Sequence, residues 1–353
     1  MSTSRQRVLV IMGGRSAEHS ISLRSAASVV PALREAGYFV ETVAIGRDGV
    51  WRWGDHGPLL ERARTELVEA GADAGVAVCL WSDRGKALLR EDSAKARPVA
   101  PGCDVVFPLV HGPGGEDGSL QGLLEILGLR FVGAGCAASA AAMDKLLMKV
   151  LCSGAAIPQA DFLPAETASP ERLAEQVART FGFPCFVKPA RLGSSVGISR
   201  VSCAAELGPA LDRARGFDER VLIERAVEGR EIEIALLGSQ TPEVSPPGEI
   251  VTPSGFYDFE AKYVTTGAQL LAPAELEPHV LGRVQQLAVQ VWKLIGCRGM
   301  ARADFFVERD SNRVLFNEIN TIPGFTEISM YPRLWACAGI PLPRLVDRLV
   351  QIA

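Results

Sequence analysis

The chain has 353 residues, enough for two or three domains, since single hydrophobic cores stop growing beyond roughly 250–300 residues. Hydrophobic residues make up 48% and charged residues 22%, the balance of an ordinary globular protein with ample material for a core. The formal charge of −4 supplies no basic excess for nucleic acid or an anionic membrane, while leaving room for a local cationic pocket that takes a nucleotide.

Met1 to Arg7 lacks the apolar core of a signal peptide, and no apolar run approaches the ~20 residues of a membrane span. Both point to the cytoplasm. Val8–Met12 is a continuous apolar run that stops at Gly13-Gly14, like a buried parallel strand feeding a loop. A helix over roughly Ser22–Ala36, closed by Gly37, and a strand over Tyr38–Ile45 follow. The stretch from 54 to 97 is rich in Gly, Ala and charge and yields no ordered reading. Asp104–Val110 reads as another buried strand whose Gly-rich exit leads into a helix around Leu120–Leu127. This alternation predicts a doubly wound α/β unit ending near Gly135.

Met143, Leu146, Leu147, Val150 and Leu151 recur at helical spacing, predicting one helix over Ala141–Leu151 that Gly154 and Pro158 stop. The pattern then turns β-rich at Cys185–Lys188, Gly197–Val201, Arg220–Glu224 and Ile232–Leu237. A helix over Pro278–Ile295 and strands over Met300–Glu308 and Val314–Asn320 complete the reading. Boundaries fall near 136 and 226, and no repeat or low-complexity tract stands out. Eight cysteines are scattered singly without a Cys-x-x-Cys pair and read as buried small hydrophobes of a reducing compartment.

The last two strands are joined by Arg309-Asp310-Ser311-Asn312-Arg313, a set of turn residues. A turn centred on Ser311 sets Arg302 opposite Asn320, Asp304 opposite Glu318 and Phe306 opposite Phe316, all on one face. Two facing carboxylates repel, and a divalent cation relieves that. Mg²⁺ suits one or two carboxylates, an amide oxygen and substrate phosphates. Arg302 beside them can hold a phosphoryl group or a developing oxyanion. A solvated β face neutralised by Arg302 accounts for the same residues equally well.

Upstream, Phe183–Pro189 is a strand ending at Lys188 that runs into Arg191-Leu-Gly-Ser-Ser-Val-Gly197. A Lys beside a flexible Gly/Ser loop can contact nucleotide phosphates, although a mobile hairpin turn has the same composition and the spacing is not of the Walker type. His111-Gly-Pro-Gly-Gly-Glu-Asp-Gly leaves a strand and enters a helix, where glycines let backbone approach a ligand and His111 can donate to a carboxylate. Gly13-Gly14-Arg-Ser-Ala-Glu18 also follows a strand, but its glycine spacing fails the dinucleotide pattern. Glu18 there is either a helix-capping acid or a partner for a substrate ammonium. Alone, Lys145 reads as a surface lysine, and Phe256–Tyr263 as a loop or edge strand.

Taken in order, Gly-Gly-Arg-Ser-Ala-Glu18, His111-Gly-Pro-Gly-Gly-Glu-Asp-Gly, Met143-Asp-Lys145, Val187-Lys188-Pro, Gly193-Ser-Ser-Val-Gly, Tyr257-Asp-Phe-Glu-Ala-Lys-Tyr263, Met300-Ala-Arg-Ala-Asp304 and Asn317-Glu-Ile-Asn-Thr-Ile-Pro-Gly324 resemble the D-alanine–D-alanine ligase family of the ATP-grasp superfamily. The likeness covers nearly the whole chain. It implies an ATP-grasp fold, α/β and α+β. An N-terminal Rossmann-like parallel-sheet domain (1–136) would precede two α+β subdomains that clamp ATP, a lid (137–226) and a catalytic part (227–353).

The resemblance also implies a reaction. ATP phosphorylates the carboxylate of one D-alanine, the amine of a second attacks the acyl phosphate, and the dipeptide enters peptidoglycan precursors. Carried over by position, Glu18 binds the first ammonium and His111 the carboxylate. Lys145 and Lys188 hold phosphates under a loop carrying Ser194 and Ser195. Glu224 meets adenine and Glu231 the ribose. Lys262 and Ser329 serve the second substrate, and Tyr263 joins Glu18 and Ser194 in locking the loop. Arg302 and the Gly324 backbone stabilise the tetrahedral intermediate, and Asp304, Glu318 and Asn320 hold two Mg²⁺ (or Mn²⁺) ions. An acyl phosphate must be kept from water, which makes Arg191–Gly197 and Ser254–Gly267 the expected lids. A homodimer is implied as well.

Ser20 stands where the family often has an acid, and Arg225-Ala226 where it often has Lys and a larger side chain. The Glu-Ala-Lys-Tyr run argues against D-lactate as second substrate. D-serine differs from D-alanine by one hydroxyl and stays an alternative, as does a non-catalytic ATP-binding module of the same fold. A dinucleotide-dependent oxidoreductase stands a distant third.

Overall fold

In the computed structural model, residues 6–165, 169–251 and 269–353 are described. The described residues form three sheets. The first has the order β5-β4-β3-β2-β1-β6, from β1 (Arg7–Gly13), β2 (Phe39–Ile45), β3 (Trp51–Trp53), β4 (Val76–Asp83), β5 (Lys86–Glu91) and β6 (Val105–Pro108). Its centre is parallel, with β1 between β2 and β6, and β3, β4 and β5 extend it antiparallel. The unbroken apolar run Val8–Met12 follows from this placement, because both faces of the central strand are covered. The helix His19–Glu35 ends where Gly37 takes φ +96°. Gly37 N–H then bonds Arg34 O at 3.0 Å and Tyr38 N–H bonds Leu33 O at 3.0 Å, a Schellman closure.

The stretch from 54 to 97, unread in the sequence, holds a short helix (Gly57–Ala63) and the β4–β5 hairpin. Arg84 (φ +49°) and Gly85 (φ +77°) form its two-residue turn, a left-handed pair reached without the usual Asn-Gly signal.

The expected single helix over Ala141–Leu151 is two helices, Cys136–Met143 and Lys145–Gly154. Asp144 breaks the run by leaving the helical region (φ −85°, ψ 101°) and accepting Leu147 N–H at 3.0 Å as N-cap of the second helix. Lys145 therefore opens a helix instead of riding on the side of one.

The second sheet is antiparallel, β7-β10-β8-β9, from β7 (Phe162–Pro164), β8 (Cys185–Pro189), β9 (Ser199–Val201) and β10 (Val221–Arg225). The region expected to be β-rich also contains helices Pro170–Thr180 and Ala204–Arg215, whose apolar sides cover this sheet. The third sheet contains β11 (Gly229–Gly238), β12 (Pro242–Val244), β13 (Gly248–Val251), β14 (Gln269–Leu271), β15 (Gly299–Glu308) and β16 (Val314–Asn320). Its order is β14-β13-β11-β15-β16, with β12 also paired to β11. Helix Pro278–Leu294 packs Val284, Leu287, Val291 and Trp292 onto it.

The largest core is shared. Met12 and Leu23 from the first sheet and its helix meet Leu237, Met300 and Trp335 from the C-terminal part, with Leu345 and Leu349 of helix Leu342–Ile352. Of the eight cysteines, Cys103, Cys152, Cys185 and Cys297 are buried as expected, but Cys79, Cys203 and Cys337 are exposed and Cys136 is half-buried, so burial is not their common property. Among the described residues, no helix is long and apolar enough to cross a membrane.

Candidate active site

β11, β15 and β16 lie side by side, and their ladders set Glu233 opposite Asp304, Asp304 opposite Glu318, and Arg302 opposite Asn320. The Arg302–Asn320 and Asp304–Glu318 pairs match the register read from the turn. The Phe306–Phe316 pair does not form: a bulge after Asp304 sets Phe305 opposite Phe316, with Asn317 as the extra residue. The bulge has a packing reason. Phe305 and Phe316 enter the core edge to face, with centroids 5.8 Å apart, while Phe306 and Asn317 turn towards the cleft.

Asp304 is buried, and Arg302 grips both its oxygens, Nε at 2.8 Å and Nη2 at 2.7 Å. The same Nε stands 3.2 Å from Glu233 Oε1. Burial disfavours the guanidinium charge, but Asp304 and Glu233 outweigh it and raise the Arg302 pKa well above its ordinary value. Lys145 Nζ stands 3.8 Å from Glu318 Oε2. Among the described residues no three His, Cys, Asp or Glu side chains form a metal cage. Two facing carboxylates and the Asn320 amide are hard oxygen donors, and they fit Mg²⁺, which draws its other ligands from phosphate and water.

Two cavities meet above these strands. One, of about 790 Å³, is bordered by Lys188 at the end of β8, Glu224 on β10, Glu231 on β11, Ser195, Phe306 and Asn317. Glu224 is buried and bonds Lys188 Nζ through Oε2 and Lys149 Nζ through Oε1. Burial alone would raise its pKa, but the two lysines push it down to about 2. The other, of about 1040 Å³ and open to solvent, is bordered by Glu18, His111, Glu116, Arg302, Gly324 and Ser329. Lys145, Gly193, Ser194 and Glu318 border both. Lys145 Nζ donates to Leu192 O at 2.6 Å, which ties the helix start to the Gly/Ser loop.

That loop crosses the cleft to the first domain. Ser194 Oγ donates to Glu18 Oε1. A Cβ on Gly112 would come 2.7 Å from Glu18 Oε2, and one on Gly193 3.1 Å, so glycine is what lets both loops close on this carboxylate. Ser194 and Ser195 hold left-handed backbone (φ +50° and +59°), strain that the crossing contact helps retain.

His111 is buried with Nε2 3.0 Å from Ser25 Oγ and Nδ1 3.8 Å from Glu116 Oε1. Glu116 is itself fixed by Gly112 N–H at 2.7 Å. Burial opposes a charged ring, but Glu116, and Glu18 beyond it, more than compensate, and the His111 pKa is raised. Ser329 Oγ accepts Thr326 N–H at 3.0 Å at the mouth of helix Met330–Cys337, and a Cβ on Gly324 would meet that oxygen at 2.7 Å.

Glu18, His111, Lys145, Lys188, Ser194, Ser195, Glu224, Glu231, Arg302, Glu318, Asn320, Gly324 and Ser329 thus border one cleft, with Asp304 held beneath it by Arg302. Lys262 and Tyr263 lie outside the described residues. Sequence reasoning did not single out Glu116, Lys149, Glu233 or Asn317. Only Glu233 had a local signal, a second acid two positions after Glu231 on the same strand face.

Two family models match the chain, the D-ala D-ala ligase N-terminus over residues 7–134 and the D-ala D-ala ligase C-terminus over residues 151–351. A D-alanine–D-alanine ligase of Chlorobaculum tepidum is 42% identical over 99% of the chain and 97% of its own length. The solved D-alanine-D-alanine ligase of Coxiella burnetii superposes with a TM-score of 0.85 at 35% identity, covering 99% of this chain and 93% of that one. The VanG D-Ala:D-Ser ligase of Enterococcus faecalis superposes with a TM-score of 0.84 at 31% identity, covering 99% of both chains.

Proposed function

The chain belongs to the D-alanine–D-alanine ligase family, and from that premise we propose that it joins two D-alanines at the cleft described above. ATP supplies the phosphoryl group, and the dipeptide serves peptidoglycan precursor synthesis. The observation that carries this reading is the meeting of the two cavities at Lys145, Ser194 and Glu318, which gives a phosphate donor and a carboxylate acceptor a shared wall.

In this reading Lys145 and Lys188 hold the polyphosphate, Glu224 and Glu231 face the nucleoside, and Ser194 and Ser195 cover it. Glu18 takes the ammonium of the first D-alanine, and charged His111 takes its carboxylate. Phosphoryl transfer to that carboxylate releases ADP. The amine of the second D-alanine, bordered by Ser329 and served, on the family resemblance, by Lys262, then attacks the acyl carbon, and phosphate leaves. Arg302 and the Gly324 backbone face the oxyanion formed in that attack. Asp304, Glu318 and Asn320 would hold two Mg²⁺ (or Mn²⁺) ions, which would supply charge neutralisation for phosphoryl transfer. The contact of Ser194 with Glu18 keeps water from the acyl phosphate, and Tyr263 completes that latch.

The reading extends to domain boundaries near 136 and 226 and to a cytoplasmic homodimer, the latter on the family resemblance, with sedimentation as its test. Phosphate release from ATP and Mg²⁺, with D-alanine, D-serine and D-lactate offered singly and in pairs, tests the function. Release should require D-alanine, and mass analysis should find D-alanyl-D-alanine as the main product. A main product carrying D-serine would transfer the assignment to the D-alanine–D-serine ligases, and ATP binding without any turnover would reduce the chain to a binding module.

A further inference from the structure

Lys149 lies on the same helix as Lys145 but borders neither cavity. It is 4% exposed, with Nζ bonded to Glu224 Oε1, 3.4 Å from Ala160 O and 5.2 Å from the centre of the Phe162 ring. Glu224, 2% exposed, gives its other oxygen to Lys188, whose side chain borders the cavity. One buried carboxylate is therefore held between two ammonium groups, one inside the wall and one at its surface. A lysine in such a place is costly to bury, and an apolar side chain of its length would fill the volume without that cost.

The arrangement makes sense if Lys188 has to leave. With both lysines the trio carries one net positive charge. When Lys188 turns away, Glu224 and Lys149 remain as a closed, neutral pair. Without Lys149 the same movement strands a buried carboxylate, which is among the least tolerated groups in a protein interior.

We propose that Lys149 is a positioning residue of the nucleotide subsite, keeping the Glu224 carboxylate paired and in place when Lys188 turns from it to the polyphosphate. Glu224 then presents a fixed acceptor to the exocyclic amine of the base. The inference rests on the reading of this cavity as the ATP site.

Calorimetric binding of ATP to the full-length protein tests it, with thermal unfolding run on each variant. Lys149→Met should weaken ATP binding at least tenfold, and Lys149→Arg less than threefold. The double variant Lys149→Met/Glu224→Gln should bind ATP more tightly than Lys149→Met, because a neutral amide no longer detains Lys188. A merely structural lysine predicts lower melting temperatures with no such recovery. Glu224→Gln alone gives a second test that does not need Lys149→Met to fold: inorganic tripolyphosphate, which lacks the base, should bind it at least threefold more tightly than wild type. Wild-type affinity for ATP in Lys149→Met, no recovery in the double variant, or unimproved tripolyphosphate binding by Glu224→Gln would each overturn the proposal. Failure of the wild-type protein to bind ATP would instead defeat the nucleotide reading itself.

Discussion

The two walls of the cleft are built on different physical principles. On one, Glu233, Asp304 and Glu318 stand on three adjacent strands whose ladders fix their separation, and Arg302 grips Asp304 through two hydrogen bonds while reaching Glu233. On the other, Glu18 and Ser194 are 176 residues apart, and Ser194 Oγ reaches Glu18 from a loop in left-handed backbone. A ladder cannot shift one carboxylate without breaking many backbone bonds, whereas a loop can open by giving up a few side-chain contacts. The strand wall therefore suits charge that must already be in place when phosphoryl transfer begins, and the loop wall suits a closure that is made and unmade every turnover.

This difference predicts where damage is worst. Asp304→Asn keeps the shape and an oxygen but removes the charge that Arg302 grips and that the proposed metal ions would need. Turnover should fall by roughly 10³-fold or more, as when a metal or oxyanion element is lost. In the proposed function Lys145, Lys188 and the base subsite hold ATP, so its binding should change only a few-fold. Steady-state phosphate release and calorimetry read the two quantities separately. If Ser194→Ala proved more damaging than Asp304→Asn, the assignment of chemistry to the strand wall would be wrong.

The two walls also differed in how far they could be read from the chain. Alternation and one turn place Arg302, Asp304, Glu318 and Asn320 together, because neighbours in a hairpin are fixed by local geometry. The bulge at Asn317 escaped because period-two alternation assumes a straight strand; what decides it is the burial of Phe305 against Phe316, a tertiary matter. Each segment of the loop wall is ambiguous alone, and only the order of motifs along the chain joined Glu18, His111 and Ser194. Lys149 and Glu116 gave no signal at all, since each has its meaning through a partner: Glu224, 75 residues away from Lys149, and His111, across a turn of glycines. Helices Pro170–Thr180 and Ala204–Arg215 went unread because each has only two large apolar residues, Leu173 and Val177 or Leu207 and Leu211, among small and charged ones, and Gly208-Pro209 reads as a break in the second.

A smaller effect is expected at the latch. Ser194→Ala removes one hydrogen bond to a carboxylate, worth about 1.5–3 kcal/mol when fully formed. Dipeptide formation should drop by roughly ten- to hundredfold on that basis. More telling is the stoichiometry: a loosened loop admits water to the acyl phosphate, so phosphate released per dipeptide should rise above one. Parallel phosphate and amino-acid analysis measures the ratio. A ratio that stays at one while the rate falls would mean that Ser194 serves substrate placement and not the exclusion of water.

The smallest effect, and the one that separates the walls by pH, concerns His111. Its ring is buried, which opposes charge, and Glu116 and Glu18 reverse that opposition. Because the folded pKa lies above the ordinary value near 6.5, the stabilisation is complete below that value and is lost as pH rises through the folded pKa. In the proposed function the charged ring binds the first D-alanine carboxylate, so the Michaelis constant for that substrate should increase over the same interval. Glu116→Gln leaves the burial and removes the main compensation, so the increase should begin at lower pH, and the loss of affinity relative to wild type should be largest above both pKa values. The Michaelis constant for ATP should show no matching change, since Lys188, Glu224 and Glu231 border the other cavity. A D-alanine profile unmoved by Glu116→Gln would show that His111 binds the carboxylate as a neutral donor, and that charge on the loop wall matters less than the closure it supports.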